Sequence, residues 1–238
     1  MTKAIFFDID GTLISKKNPR ITTKLKETLN ALRNKGILLF IATGRHYQEI
    51  VDLKLNEDYQ FDAYITLNGC YCYNDDEVIH KAAITNEDIK SIISMLDEND
   101  TACMFVEADK MYINKVNERV IEAQAAIHTP VPEIADISRA LENDIFQIIP
   151  YITDEEAKPI IASTKGCKGT RWHPLAYDII PNTGGKDEGI KKVLSYYNID
   201  VKDTMAFGDG HNDIEMLQFV NIGVAMGNGE AITKESSD

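Results

Sequence analysis

Asp8 and Asp10 are separated by one residue, Ile9, and follow the apolar run Ala4-Ile5-Phe6-Phe7. In an extended chain, residues two apart face the same way. Both carboxylates therefore look into one crevice where a strand ends. Gly11 lets the chain turn, and Thr12 suits a turn or a helix start. Asp209 reaches a comparable position after Met205-Ala206-Phe207-Gly208. Three acids in one crevice repel and raise each other's pKa values, and a bound cation relieves that repulsion. All-oxygen ligation beside a phosphate points to Mg²⁺. A carboxylate can attack phosphorus to give an aspartyl-phosphate. The approach of an anion to an anionic ester must be screened, a task for the cation and for Lys186. The second acid, Asp10, can protonate a leaving alkoxide and later deprotonate a water.

These residues need a scaffold that brings strand ends together. Ala4 to Phe7 does not alternate polar and apolar residues, which predicts a strand buried on both faces. Thr22 to Lys35 has helical spacing through Leu25, Leu29 and Leu32, with Gly36 as its stop. A second buried strand is expected over Ile37 to Ile41, a helix over His46 to Leu55 and a third strand over Ala63 to Leu67. Strands alternating with helices imply a parallel sheet, whose ligands bind outside the carboxyl ends of the strands. From Thr85 the pattern changes. Helices are expected over Thr85 to Asn99, Lys115 to Ile127 and Asp154 to Ser163. Shorter strands are expected near Cys103 to Val106, Met111 to Ile113, Ile145 to Ile149 and Ala176 to Ile180. After Pro181-Asn182-Thr183-Gly184-Gly185 the alternation returns, with a helix over Lys186 to Tyr197, a strand over Thr204 to Phe207, a helix over Asn212 to Phe219 and a last strand over Ile222 to Ala225. The expectation is a five-stranded core formed by residues 1–82 and 183–238, interrupted by an inserted α+β domain over 83–182.

Four segments then read together: Asp8-Ile9-Asp10-Gly11-Thr12, Thr43-Gly44-Arg45, Lys186 and Gly208-Asp209-Gly210-His211-Asn212-Asp213. In this order they resemble the haloacid dehalogenase (HAD) superfamily of phosphatases, in particular its Cof-type subfamily. The resemblance implies an α/β fold: a Rossmann-like parallel-sheet core with an inserted C2-type cap. It implies Asp8 as nucleophile and metal ligand. Asp10 becomes the acid/base, its backbone carbonyl meeting the metal, and Asp209 the third protein ligand of Mg²⁺. It places Ile9, Thr43, the Gly44 backbone, Arg45, Lys186 and Asn212 on the substrate side, with Asp213 orienting the metal's water-bearing side or Lys186. Arg45 has a second reading, a pair with a core carboxylate. Gly184-Gly185-Lys186 is not a Walker A loop, because Asp187 stands at the Ser/Thr place and Ile180 at the first Gly place. His211 reads as a turn residue, and Asn68-Gly69 as a turn after the third strand, on the crevice side.

Composition limits the partners. The formal charge of −13 argues against nucleic acid and against anionic membrane surfaces. The longest apolar stretch is too short to cross a bilayer, and Met1-Thr2-Lys3 leads into a strand and not into a secretory signal. The four cysteines, Cys70, Cys72, Cys103 and Cys167, have no metal-site spacing and read as buried free thiols, which fits a cytoplasmic protein. Within the insert, Arg171-Trp172-His173-Pro174 is the one dense cluster of recognition-type side chains. His173 would contact substrate or close a loop, and Trp172 reads as core.

The expected activity is Mg²⁺-dependent hydrolysis of small phosphorylated metabolites, sugar phosphates or phosphorylated cofactors, under a cap that closes over the site. The alternatives are a phosphomutase of the same superfamily and a non-catalytic phosphate-ligand-binding domain. Residues 83–180 carry nine Lys/Arg against seventeen Asp/Glu, an acidic balance that disfavours a bisphosphate. One departure from the resembled subfamily is visible: its members usually continue with another helix and a short segment after the Met226-Gly227-Asn228-Gly229 stretch, whereas this chain stops soon after it at Asp238, which leaves its C-terminal packing open.

Overall fold

A computed structural model describes residues 1–15, 17–127 and 129–238. The chain forms two compact units, 1–81 with 184–238 and 82–183, so Ala82 and Thr183 fall in the second unit.

The core unit contains β1 (Ala4–Phe7), α1 (Thr23–Arg33), β2 (Leu38–Ala42), α2 (Tyr47–Asp52), α3 (Leu55–Asp58), β3 (Ala63–Thr66), β4 (Tyr71–Tyr73) and β5 (Val78–Lys81). The inserted unit contains α4 (Asn86–Glu98), β6 (Cys103–Val106), β7 (Met111–Ile113), α5 (Glu118–Ala126), β8 (Glu133–Ile134), β9 (Gln147–Pro150), α6 (Asp154–Ala162), β10 (Cys167–His173) and β11 (Ala176–Pro181). The core resumes with α7 (Lys186–Tyr196), β12 (Thr204–Gly208), α8 (Ile214–Phe219), β13 (Ile222–Ala225) and α9 (Ala231–Glu235).

The core sheet has the order β13-β12-β1-β2-β3-β4-β5. Its first five strands are parallel, which puts the residues after β1, β2, β3 and β12 at one edge. Alternate residues of β1 face opposite helix layers. Phe6 packs with Phe40 (ring centroids 4.9 Å apart) and with Ile190, Val193 and Leu217, while Ile5 and Phe7 pack with Leu29, Ile50 and Leu55. Two covered faces explain why this strand reads as an unbroken apolar run.

Two differences from the sequence expectation stand out. The sheet is extended by an antiparallel hairpin, β4 and β5, whose Val78-Ile79-His80-Lys81 is half-buried in the middle and exposed at both ends and has no buried-strand pattern. The helix expected over His46 to Leu55 breaks at Lys54, whose φ of 55° is left-handed.

In the inserted unit the strand order is β10-β11-β9-β6-β7-β8. One face of this sheet, including Phe105, Tyr112, Ile148 and Ile179, packs with Ile89, Ile92 and Leu96 of α4 and Ala157 and Ile160 of α6. Trp172, expected in the core, lies partly exposed on β10. His173 closes a turn, its Nδ1 accepting from the Leu175 N–H at 3.2 Å. All four cysteines are free and buried. Among the described residues no helix is long and apolar enough to cross a membrane. The chain's last residues pack on the core: α9 is a helix, and Asp238 exchanges two hydrogen bonds with Gly223 on β13, at 2.9 and 2.8 Å.

Candidate active site

The residues that follow β1, β2, β3 and β12, with the start of α7, form a polar cluster within the core unit. Asp8 is the first residue after β1 and is only 6% exposed. Lys186 opens α7 and is fully enclosed. Its Nζ donates to Asp8 Oδ1 at 2.7 Å and to Asp213 Oδ1 at 2.5 Å. Asp213 uses its other oxygen, Oδ2, to accept from the backbone N–H groups of Asp209 and Gly210 at 2.8 and 2.9 Å. Asp213 therefore fixes both the lysine and the loop that carries Asp209.

Asp8, Asp209 and Asp213 each offer an oxygen within 4.8 Å of the others. One ammonium, bonded to two of them, stands beside three carboxylates. Burial holds the Asp8 carboxyl well above its ordinary range, against the pull of Lys186. Burial and then the Asp213 charge push Asp209 up to about 6. Uncompensated negative charge on hard oxygen donors is the setting that a divalent cation such as Mg²⁺ suits. The donor set fits, and Asp8 and Asp209 are the carboxylates that would hold the ion.

Gly11 allows this crowding. Its φ is +81°, and a Cβ placed there would lie 2.0 Å from Asp209 Oδ2. Asp209 also accepts from Thr12 Oγ1 at 3.4 Å and from Asn228 Nδ2 at 3.1 Å, and Asn228 Nδ2 reaches the Gly11 carbonyl at 3.0 Å. The loop after β13 is thus tied to the loops after β1 and β12. Asn228 lies in a Gly-rich stretch of the sequence, where nothing in its spacing signals a role.

The Asp10 carboxylate is outside the acid cluster. It accepts two hydrogen bonds from Arg45, Nε to Oδ2 at 2.6 Å and Nη2 to Oδ1 at 2.9 Å. This leaves the Asp10 backbone carbonyl, not its side chain, for a metal. Arg45 follows the second of its two readings: it pairs with a carboxylate. It is buried and also approaches Glu49 Oε1 at 3.4 Å. Glu49 Oε2 in turn accepts from the His46 N–H at 2.9 Å, and His46 Nδ1 accepts from Gln48 N–H, a reciprocal cap at the start of α2. Burial raises the Glu49 carboxyl above its ordinary value.

Thr43 is buried, its Oγ1 accepting from the Arg45 N–H at 3.1 Å. Ile9 buries its side chain in the core, and its carbonyl accepts from Leu13 and Ile14 N–H at 3.0 Å. Any part it plays toward a substrate falls to its backbone N–H. Asn212 Nδ2 donates to Asn68 Oδ1 at 3.2 Å. Asn68, read from sequence as a turn residue, is therefore part of the cluster. His211 is exposed in the short 3₁₀ turn His211–Asp213 and is not in the acid cluster.

Residues 5–238 match the model of the haloacid dehalogenase-like hydrolase family. The chain is 34% identical to "Putative phosphatase YkrA" of Bacillus subtilis (strain 168), over all of this chain and 91% of that protein. Among solved structures, the HAD subclass IIB sugar phosphatase BT4131 is 36% identical with a TM-score of 0.89, covering 100% of this chain and 92% of that one. BT1666 of Bacteroides thetaiotaomicron, described among HAD phosphatases, is 31% identical with a TM-score of 0.91, covering 100% and 88%. The chain belongs to the haloacid dehalogenase-like hydrolases and is a phosphoric monoester hydrolase of that family.

Proposed function

We propose that the protein hydrolyses small phosphate monoesters in a Mg²⁺-dependent reaction through an aspartyl-phosphate on Asp8. The observation that carries this reading is the Asp8, Asp209 and Asp213 cluster around the buried Lys186, with Asp10 two residues beyond Asp8. A bound Mg²⁺ would neutralise the phosphoryl oxygens and the carboxylates that face them. Asp8 attacks phosphorus, and the P–O bond to the leaving group breaks. Lys186, held between Asp8 and Asp213, keeps its positive charge beside the transferring group, and both carboxylates raise its pKa further against the effect of burial. Thr43, the Gly44 N–H and Asn212 bind the remaining phosphoryl oxygens. Asp10 protonates the leaving oxygen and then takes a proton from the water that cleaves the acyl phosphate. Arg45 and Glu49 set the Asp10 carboxylate in place.

The substrate class rests on relatives. BT4131 is named as a sugar phosphatase. YitU of Bacillus subtilis, 24% identical over 97% of this chain and 88% of that protein, is named for the phosphate ester 5-amino-6-(5-phospho-D-ribitylamino)uracil. Sugar phosphates and phosphorylated cofactors are the expected substrates. The acidic balance of residues 83–180 favours one phosphate over two and hydrolysis over mutase chemistry.

The test is turnover of a panel of sugar phosphates and of p-nitrophenyl phosphate, with and without excess chelator. Acid-quench trapping of a phosphoenzyme accompanies it. Activity that is lost on chelation and restored by Mg²⁺, with label on Asp8, is the expected result. Undiminished activity in chelator would overturn it.

A further inference from the structure

After β3 the chain makes three consecutive left-handed steps: Leu67 at φ 51°, Asn68 at 50° and Gly69 at 85°. For a residue with a side chain this conformation is disfavoured, and such turns persist where their surroundings over-determine them. The surroundings here are the loops to which phosphate binding is assigned above. Leu67 N–H donates to the Arg45 carbonyl at 3.2 Å, and Asn68 N–H donates to the Thr43 carbonyl at 3.0 Å. The Asn68 carbonyl accepts from Gly185 N–H, next to Lys186, at 2.8 Å. Its side-chain Oδ1 accepts from Asn212 Nδ2 at 3.2 Å. A Cβ on Gly69 would lie 1.8 Å from the Gly185 carbonyl, and a Cβ on Gly44 would lie 3.1 and 3.2 Å from the two amide atoms of Asn68. One buried residue therefore touches the loop at 43–45, the start of α7 and Asn212.

We propose that Asn68 is a positioning residue for the phosphoryl group. It holds Thr43, Gly44, Lys186 and Asn212 in the one arrangement that accepts three phosphoryl oxygens, a role that rests on the phosphatase reading. The residue type suits the place. Asn is among the side-chain-bearing residues that best tolerate a left-handed backbone, and its neutral amide sets the Asn212 side chain without adding an anion beside an incoming dianion. Asp would keep the shape and the acceptor but add the charge.

Two substitutions separate this role from a structural one. Asn68→Gly keeps the left-handed backbone and removes the amide; Asn68→Asp keeps shape and acceptor and adds charge. The probe is inorganic phosphate, read as its Ki against p-nitrophenyl phosphate turnover and as its Kd by calorimetry on Mg²⁺-loaded protein. Asn68→Gly should weaken phosphate binding about 10-fold, the scale on which outer-shell partners act, and Asn68→Asp should weaken it more. KM should rise more than kcat falls. In the double variant with Asn212→Ala the combined loss should be smaller than the product of the single losses, because the two amides bond each other. Phosphate Ki and Kd within twofold of wild type in both single variants, whatever their melting temperatures, would overturn the inference alone. A wild-type protein that neither hydrolyses esters nor binds phosphate would overturn the phosphatase reading, and this inference with it.

Discussion

Asp8 in the core unit and Glu107 in the inserted unit occupy equivalent local positions: each is the first residue after a buried strand, β1 and β6, and each is almost wholly enclosed. Their surroundings differ. Glu107 has a partner of its own, Arg139, which donates Nε to Oε1 at 2.6 Å and Nη2 to Oε2 at 2.7 Å. Asp88, another enclosed acid of that unit, is met by the Thr85 hydroxyl and by the N–H groups of Lys165 and Gly166. Asp8 instead shares one ammonium with Asp213, and Asp209 stands within reach of both. In the inserted unit these buried acids are matched by donors, and the result is structure. In the core unit charge is left unmatched, and the result is a site that gains by taking up a cation.

The sharpest way to break the contrast is to remove the unmatched charge. Asp8→Asn should lose about 10⁴–10⁶-fold in turnover, the scale of deleting a nucleophile, while the metal-free protein melts no lower than wild type. Phosphate release and thermal unfolding measured on the same sample decide it. A variant that keeps its activity, or one that loses activity only because it unfolds, would remove the distinction. Asp10→Asn should lose about 10²–10⁴-fold, and the first step should be spared for an aryl phosphate, whose leaving group needs no proton. Equal losses for alkyl and aryl esters, with phosphoenzyme formation rate-limiting, would count against the acid/base role.

The matched pair should respond in the opposite way. Arg139→Ala leaves Glu107 enclosed without its donor and should destabilise the protein by about 2 kcal/mol. Mg²⁺ affinity should not move, because no ligand is touched. Denaturant unfolding and a Mg²⁺ titration by calorimetry check the two halves. A fall in Mg²⁺ affinity with unchanged stability would invert the comparison.

The same contrast explains what was legible in the sequence. Asp8, Asp10, Thr43, Lys186 and Asp209 announce themselves because each adjoins an apolar strand or opens a helix, so local pattern and chemistry coincide. The central strands β1, β2 and β3 are legible for the same reason: both their faces are covered, and their residues are almost all apolar. Asn68 and Asn228 are not legible. Asn68 bonds Asn212 across 144 residues, and Asn228 bonds Asp209 and Gly11 across 19 and 217; a distant hydrogen bond leaves no local pattern. Arg45 is an intermediate case, since its partner Asp10 could be named as a type and not as a residue. β10 escaped because Lys168-Gly169-Thr170-Arg171 is polar, and its register shifts between Arg171 and His173. β5 escaped because it is a partly exposed extension of the sheet.

Asp58, at the end of α3, sharpens the comparison from within the core unit. It is a matched acid outside the site. It accepts from Arg20 Nε and Nη2 at 2.6 and 2.9 Å, from Lys26 Nζ at 2.7 Å and from Ile21 N–H at 3.2 Å. These donors, Arg20 first, lower its carboxyl from 3.8 to about 2, whereas burial raises that of Asp8. The consequences for stability have opposite signs. A lowered folded-state pKa means that the unfolded chain takes up the proton first as pH falls, so the contribution of Asp58 is complete above about pH 4 and is lost between about pH 4 and 2. Full conversion of the shift would give a little over about 2 kcal/mol. The Arg20 and Lys26 side chains are 47% and 35% exposed, and solvent screening trims this to about 1 kcal/mol. Asp58→Asn should therefore unfold at lower urea than wild type at pH 7, and the gap should narrow steadily from pH 4 downward. A gap that stays constant to pH 2.5 would mean that packing of the side chain, and not its charge, carries the stabilisation. Asp58 would then offer no electrostatic counterpart to Asp8.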